Sequence, residues 1–244
     1  SHIPISYAVF CLKKKNIGGA LVAELMARGA AKVYAAARNV AAVEPLVRQS
    51  GERVVAVPLD VTDAGSVARA LDQCPDTDIL INNAGVNQNM WLLGPTGMEA
   101  ARAEIEVNYL GTLAMCRAFA PVLTRRQGMI VAIVSIIGLV NLPINGTYCA
   151  SKAALHSLVQ GVRAELAPGG VRVVGVYPGP VDTRLTAGLQ MPKATPAEVA
   201  AAIVAGIVAN EEEIFPDPMS QQVHDQLCTD AKAVERRYAT MIPK

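Results

Sequence analysis

The feature that most restricts how this chain can fold is an alternation of two kinds of segment along its length. Short runs rich in Val, Ile and Ala at 8–12, 32–37, 54–59, 79–82, 129–135 and 171–177 read as strands, and longer Ala/Leu-rich stretches at 19–28, 64–73, 98–123 and 147–166 read as helices. Strand, helix and strand in succession form a right-handed crossover between parallel strands. Repetition of that unit predicts an α/β fold, a doubly wound parallel sheet of about seven strands with helices on both faces. An apolar content of 52% with only 4% aromatics suits strands buried on both faces. Thr195-Pro196-Ala197-Glu198 combines a capping threonine, a proline at the first helical position and a reciprocal glutamate, predicting a helix to about Ala209. A seventh strand is expected around 213–215 and a last helix from Pro218 to Ala239, packed on the outside or on a neighbouring subunit. No repeat or low-complexity linker divides the chain, so a single domain over 1–244 is expected.

A net charge of +1 argues against nucleic acid as the main partner, and no apolar run approaches the length of a membrane span. The five cysteines are scattered, odd in number and without metal-type spacing, which favours reduced thiols and a cytoplasmic location over a disulfide framework or a metal site. Binding is expected instead at the carboxyl ends of the strands, where doubly wound sheets hold their ligands.

One constellation falls there. Tyr148 and Lys152 are four residues apart on an expected helix, so phenol and ammonium share a face. A free tyrosine titrates near 10, and proton transfer near neutrality needs a shift of roughly three units, about 4 kcal/mol, part of which a neighbouring lysine supplies. Ser135, ending the run 129–135, is placed to hydrogen-bond the same substrate oxygen. By themselves these residues also fit a surface helix pair and a strand-capping serine. Cys149 lies inside the same turn, and none of the histidines offers it an obvious base by sequence.

With Asn82-Asn83-Ala84-Gly85 ending the fourth strand, Asn108 in the next helix, then Ser135, Tyr148 and Lys152, the chain resembles the short-chain dehydrogenase/reductase family from about residue 30 to 185. The resemblance implies a Rossmann fold and an oxidoreductase interconverting a carbonyl and a secondary alcohol. It makes Tyr148 the general acid/base, Ser135 the group that orients the substrate oxygen, Lys152 the modulator of Tyr148 and holder of the nicotinamide ribose, and Asn108 the support of a proton-relay water. Asn108 also fits a buried helix amide bonded to backbone. For the dinucleotide, the resemblance implies adenine contacts from Asp60 and Val61, a ribose floor from Asn82, Ala84 and Gly85, and contacts from Pro178, Gly179, Val181 and Thr183 to the nicotinamide and pyrophosphate. It further implies a homodimer or homotetramer. Asp63, and alternatively Asp60, fits a cap of the following helix.

Arg38 follows the second strand where an acidic residue would otherwise receive a free ribose hydroxyl, and its fork of donors matches a 2′-phosphate, so NADP is expected rather than NAD. The pattern departs at the first turn. The family's glycine-rich turn is replaced by Cys11-Leu12-Lys13-Lys14-Lys15-Asn16-Ile17-Gly18, in which only Gly18 keeps a glycine. Asn16, Ile17 and Gly18 are the expected phosphate contacts, Asn16 because it tolerates a left-handed conformation, with the lysines as compensating charge. The alternative motivated by this turn is a non-catalytic binding or regulatory protein on the same scaffold with impaired dinucleotide binding. Runs at 90–93, 136–137, 139–142 and 185–189 are expected to wall the substrate site, with 183–192 as its lid, and their apolar character points to a small apolar carbonyl or alcohol substrate.

Overall fold

A computed structural model of the protein describes residues 6–10, 16–188 and 190–242. Seven parallel strands form one sheet: β1 (Ser6–Phe10), β2 (Lys32–Ala37), β3 (Val54–Pro58), β4 (Ile79–Asn82), β5 (Met129–Ile133), β6 (Arg172–Val176) and β7 (Glu213–Ile214), in the order β3-β2-β1-β4-β5-β6-β7. The order reverses between β1 and β4, where the connections leave on opposite faces and open a crevice at the carboxyl ends. The strand expected at 8–12 is registered two residues earlier, and its last two residues lie outside the described ones.

Period-two alternation sorts the strand side chains between two cores. Ile79, Ile81, Val131 and Ile133 face α1 (Ile17–Ala27) and α7 (Pro196–Val208), through Leu21, Leu25, Val199 and Ile203. Leu80, Ile130 and Ala132 face the opposite side, where α3 (Ala64–Gln73), α5 (Thr112–Arg126) and α6 (Gly146–Leu166) contribute Val67, Phe119 and Leu155. Two further helices are short, α2 (Glu44–Ser50) and α4 (Gly97–Glu104). α2 was not expected from the sequence, since seven residues carry too little periodicity, although its early proline is a start signal. The single helix expected at 98–123 is α4 and α5 joined by a π-helical stretch, Ile105–Gly111, which contains Asn108. Such stretches recur at functional sites because they re-aim side chains and carbonyls.

The last helix, α8 (Pro218–Ala239), bends at Asp230, whose backbone is non-helical and whose carboxylate caps the second half through Ala233 N–H at 2.9 Å. It packs on its own chain: Val223, Val234 and Tyr238 bury Ile136 together with Leu139 and Leu142. No described helix is long and apolar enough to cross a membrane. The start of α8 is fixed by Asp217, a buried N-cap whose Oδ1 accepts from Ser220 N–H at 2.9 Å and whose Oδ2 accepts from Gly179 N–H at 2.8 Å. One carboxylate therefore ties the loop after β6 to the C-terminal helix. The loop must approach closely, since a methyl group on Gly179 would stand 2.8 Å from Asp217 Oδ1.

Replacing Asp217 by Ala leaves the buried Ser220 amide and the half-buried Gly179 amide without this acceptor and should cost roughly 2–4 kcal/mol in urea unfolding. Asp217→Asn, which can still accept, should lose less. A loss within the error of the measurement for Asp217→Ala would contradict this role.

Candidate active site

At the carboxyl ends of β4, β5 and β6 lies a cavity of about 260 Å³. Ser135, Tyr148 and Lys152 all face it, with Ile17 from the first turn of α1, Gly85 after β4 and the segment Pro178–Val181 after β6. Elsewhere its wall is largely apolar, formed by Ile136, Ile137, Leu142, Ile144, Leu185 and Met191, and α8 contributes Met219 and Tyr238. The run 90–93 is absent from the wall. Met90 carbonyl accepts from both the amide and the hydroxyl of Thr147, at 3.2 and 3.1 Å, which ties the run to the start of α6, and Leu93 is 95% exposed. Of 139–142 only Leu142 reaches the cavity, because Leu139 and Val140 pack under α8.

Local geometry sets the three polar groups. Ser135 follows β5 in an extended conformation and its Oγ donates to Pro178 carbonyl at 3.3 Å. Tyr148 and Lys152 stand on successive turns of α6. The turn 136–138 presses on that helix: a Cβ at Gly138 would lie 2.9 Å from Lys152 carbonyl oxygen, so only glycine permits the approach. Lys152 is buried, donates from Nζ to Ile133 carbonyl at 2.8 Å, and lies with Nζ 5.6 Å from the Tyr148 ring centroid.

Burial governs both titrations. Desolvation pulls the Lys152 ammonium down to about 7. It pushes the Tyr148 phenol well above its usual value, and the nearby Cys149 and Glu104 add to the rise. A lysine four residues away is expected to draw the phenol toward neutrality; here burial raises it instead, and the Lys152 N–H is directed to a carbonyl. The phenol consequently holds its proton at neutral pH. Cys149 is buried, exchanges contacts with the Leu142 backbone at 3.3 and 3.6 Å, and has its thiol pushed up to about 11 by burial, so it is no nucleophile at neutral pH.

Asn108 stands behind the wall rather than on it. Its Oδ1 accepts from Val86 N–H at 2.8 Å, and its Nδ2 donates to Val86 carbonyl at 2.9 Å and to Ser151 Oγ at 2.8 Å. It thus pins the segment after β4 to α6. Asn108 and Lys152 flank Gly85, where an added methyl group would stand 3.5 Å from Asn108 Oδ1 and 3.6 Å from Lys152 Nζ.

Gly85 also borders a second, smaller cavity formed by Arg38, Leu59, Asp60, Val61, Ala84 and Val107. Asp60 folds its carboxylate onto Thr62, accepting from the hydroxyl at 2.7 Å and from the amide at 3.0 Å, and these bonds with a smaller contribution from Arg38 hold its carboxyl below the usual range. Asp63 caps α3 through Gly65 and Ser66. Gly85 thus borders two cavities, the smaller with the exposed Arg38 on its wall and the larger with the Tyr148 group. Their shared border and their donors fit the two ends of an extended dinucleotide.

Two of the expected contact residues have their side chains engaged within the protein. Asn82 points away from the cleft, its Nδ2 directed at Cys116 Sγ at 3.7 Å, while its neighbour Asn83 lines the large cavity. The strand's alternation sends adjacent residues to opposite sides. Asn16 is extended rather than left-handed (φ −143°, ψ 172°) and its Oδ1 caps α1 through Gly19 N–H at 2.9 Å. Ile17 is on the cavity wall and Gly18 is buried behind it. Cys11 to Lys15, including Leu12 and the lysine run, lie outside the described residues. In the loop after β6, Pro178, Gly179 and Val181 line the cavity, whereas Thr183 starts the short turn Arg184–Thr186. Asn87, Asn89, Asn145 and Asp217 are not among the residues expected from sequence, and Asn83 is expected only as part of the Asn-Asn-Ala-Gly segment; the asparagine density of 82–89 and the Asp-Pro pair at 217–218 are the signals that mark them.

The family model for short chain dehydrogenases matches residues 13–193. Human dehydrogenase/reductase SDR family member 7 is 36% identical over 183 residues, which is 70% of this chain and 53% of that protein. The chain spans about half the length of several curated relatives it matches, mouse SDR family member 7B among them at 52%. Cis-4-hydroxycyclohexanecarboxylate dehydrogenase of Sinomonas cyclohexanicum is 35% identical over 210 residues, 82% of each protein. Among solved structures, a short chain dehydrogenase from Burkholderia cenocepacia J2315 in complex with NADP superposes with a TM-score of 0.89 at 38% identity, covering 96% of this chain and 97% of that one. Sequence and fold together identify this chain as a member of the short-chain dehydrogenase/reductase family.

Proposed function

We propose that the protein is an NADP-dependent oxidoreductase that interconverts a carbonyl and a secondary alcohol on a small, largely apolar substrate, with Tyr148 as general acid/base. The observation that carries this reading is the meeting of Ser135, Tyr148 and Lys152 on one largely apolar cavity, which shares Gly85 with the smaller cavity lined by Arg38. The family relationship and a similar structure that holds NADP support it.

The chemistry supplied by a bound dinucleotide is a hydride for the carbonyl carbon. The residues of this chain do the rest. Tyr148, protonated at neutral pH, gives its proton to the substrate oxygen as negative charge develops there. Ser135 turns its hydroxyl from Pro178 carbonyl to that oxygen and donates a second hydrogen bond. Lys152, whose ammonium lies beside the ring, stabilises the phenolate that remains. The apolar walls exclude water and so strengthen each of these interactions. At the far end, Arg38 would hold the 2′-phosphate, with Val61 and Ala84 lining the base pocket and Asp60 supporting its edge.

Tyr148→Phe should reduce carbonyl reduction by about 10²–10⁴-fold, the usual worth of a positioned acid, without lowering the melting temperature. Full activity in that variant would overturn the mechanism. Because Lys152 titrates at about 7, the reduction rate should decline as pH rises through that value and the ammonium is lost, whereas a rate that climbs across this window contradicts the assignment. Removing the guanidinium in Arg38→Ala should weaken NADPH binding by about ten- to a hundred-fold and leave NADH nearly unchanged, a contrast read by fluorescence titration of both cofactors.

A further inference from the structure

Both ends of α8 reach one cavity because the helix bends. Met219 in its first turn and Tyr238 in its last line the cavity, and Met241 follows one turn later, its amide donating to Tyr238 carbonyl at 2.9 Å. In a straight helix positions 219 and 238 would stand about 28 Å apart. At Asp230 the backbone departs to φ −152°, ψ 86°, and Met219, Val223, Val234 and Tyr238 gather in one apolar cluster with Ile136, the residue after Ser135. Asp230 is exposed and off the cavity wall, and it fixes the bend through the cap on Ala233 N–H.

Three thioethers line this cavity, Met191 from the chain after β6 and Met219 and Met241 from the C-terminal segment. Met191 and Met241 are 38% and 45% exposed, so their side chains are open to a ligand rather than sealed in the core. Tyr238, buried with Ile136, anchors the turn that presents Met241. Ile136, Ile137, Leu142 and Ile144 make the neighbouring wall aliphatic. A thioether differs from these in its polarizable sulfur, which gains from contact with the edge of an aromatic ring, and in an unbranched chain that adapts to the ring's position. We propose that Met191, Met219 and Met241 are specificity-determining residues that receive an aromatic ring of the substrate, and that Asp230 is the positioning residue that brings Met241 to it. Given the carbonyl–alcohol reading above, on which this rests, the substrate is a ketone with an aryl group a few bonds from its carbonyl, or the matching secondary alcohol. Reduction moves a hydride and a proton onto the carbonyl and leaves the ring unchanged.

The test compares phenylacetone with cyclohexylacetone, two ketones of similar shape whose rings differ in aromaticity. The double variant Met219→Leu/Met241→Leu conserves volume and removes two sulfurs. From wild type to this variant, the ratio of kcat/KM for phenylacetone to that for cyclohexylacetone should fall about three- to thirty-fold, through KM. An unchanged ratio overturns the aryl site. Asp230→Ala should lower the same ratio, and Asp230→Asn, which can still accept from Ala233, should keep it. A merely structural aspartate would lower the melting temperature in Asp230→Ala and leave the ratio alone, which contradicts the positioning role. Where NADPH is oxidised with neither ketone, calorimetric binding of both ketones to the full chain, with NADP+ present so that no reduction occurs, decides instead. Phenylacetone binding that weakens in the double variant more than cyclohexylacetone binding then refutes the oxidoreductase reading and keeps the aryl site. Absent phenylacetone binding, or the same ratio of affinities in both proteins, overturns the aryl site.

Discussion

The interaction on which the site depends is a buried ammonium bonded to the end of a strand. Lys152 Nζ is removed from water and held at 2.8 Å from the Ile133 carbonyl, the last residue of β5. Desolvating a cation is expensive, and one carbonyl dipole only partly offsets the loss of hydration, which is why the group titrates near 7. Everything around it serves that placement. β5 must end where its last carbonyl is free to accept, Gly138 must be small enough for the following turn to press on α6, and α6 must present Tyr148 one turn earlier on the same face. The serine that leaves β5 then lines the same cavity as the phenol.

A second constraint acts through Gly85 and Asn108. The chain leaving β4 has to pass under α6 closely enough to border both cavities, and Asn108 fixes it there with all its amide bonds inside the protein. The π-helical stretch that carries Asn108 interrupts what would otherwise be one long helix. Asp217 plays the corresponding part on the other side, fastening the loop after β6 to α8, whose Met219 and Tyr238 complete the apolar wall. A helix that the sequence alone left on the outside of the molecule or on a neighbour is therefore part of the cavity.

What could be read in advance follows from which physical signals are local. Strand and helix alternation is local, so the sheet, the capping box of α7 and the bounds of β2, β4 and α3 were legible. The Tyr148/Lys152 spacing carried its own geometry. Side-chain direction at a strand end is set by parity that a one-residue shift reverses, so the sequence does not say which of Asn82 and Asn83 lines the cavity, and it is Asn83. The tyrosine's titration depends on how tightly distant segments close around it, which no spacing rule contains; a lysine four residues away suggested a lowered value, and burial by the whole cavity raised it. Asn145 and Asp217 each look like ordinary helix starts in sequence, and only the fold distinguishes the one that caps from the one that does not.

The proposed account requires that an extended dinucleotide lie along the cleft from Arg38 past Gly85 to Tyr148. Calorimetric titration of the intact chain with NADPH at neutral pH tests that requirement most directly. The account predicts saturable binding at one site per chain, with micromolar or tighter affinity and weaker binding of NADH; a titration that shows no saturable heat with either cofactor at millimolar concentration would contradict it.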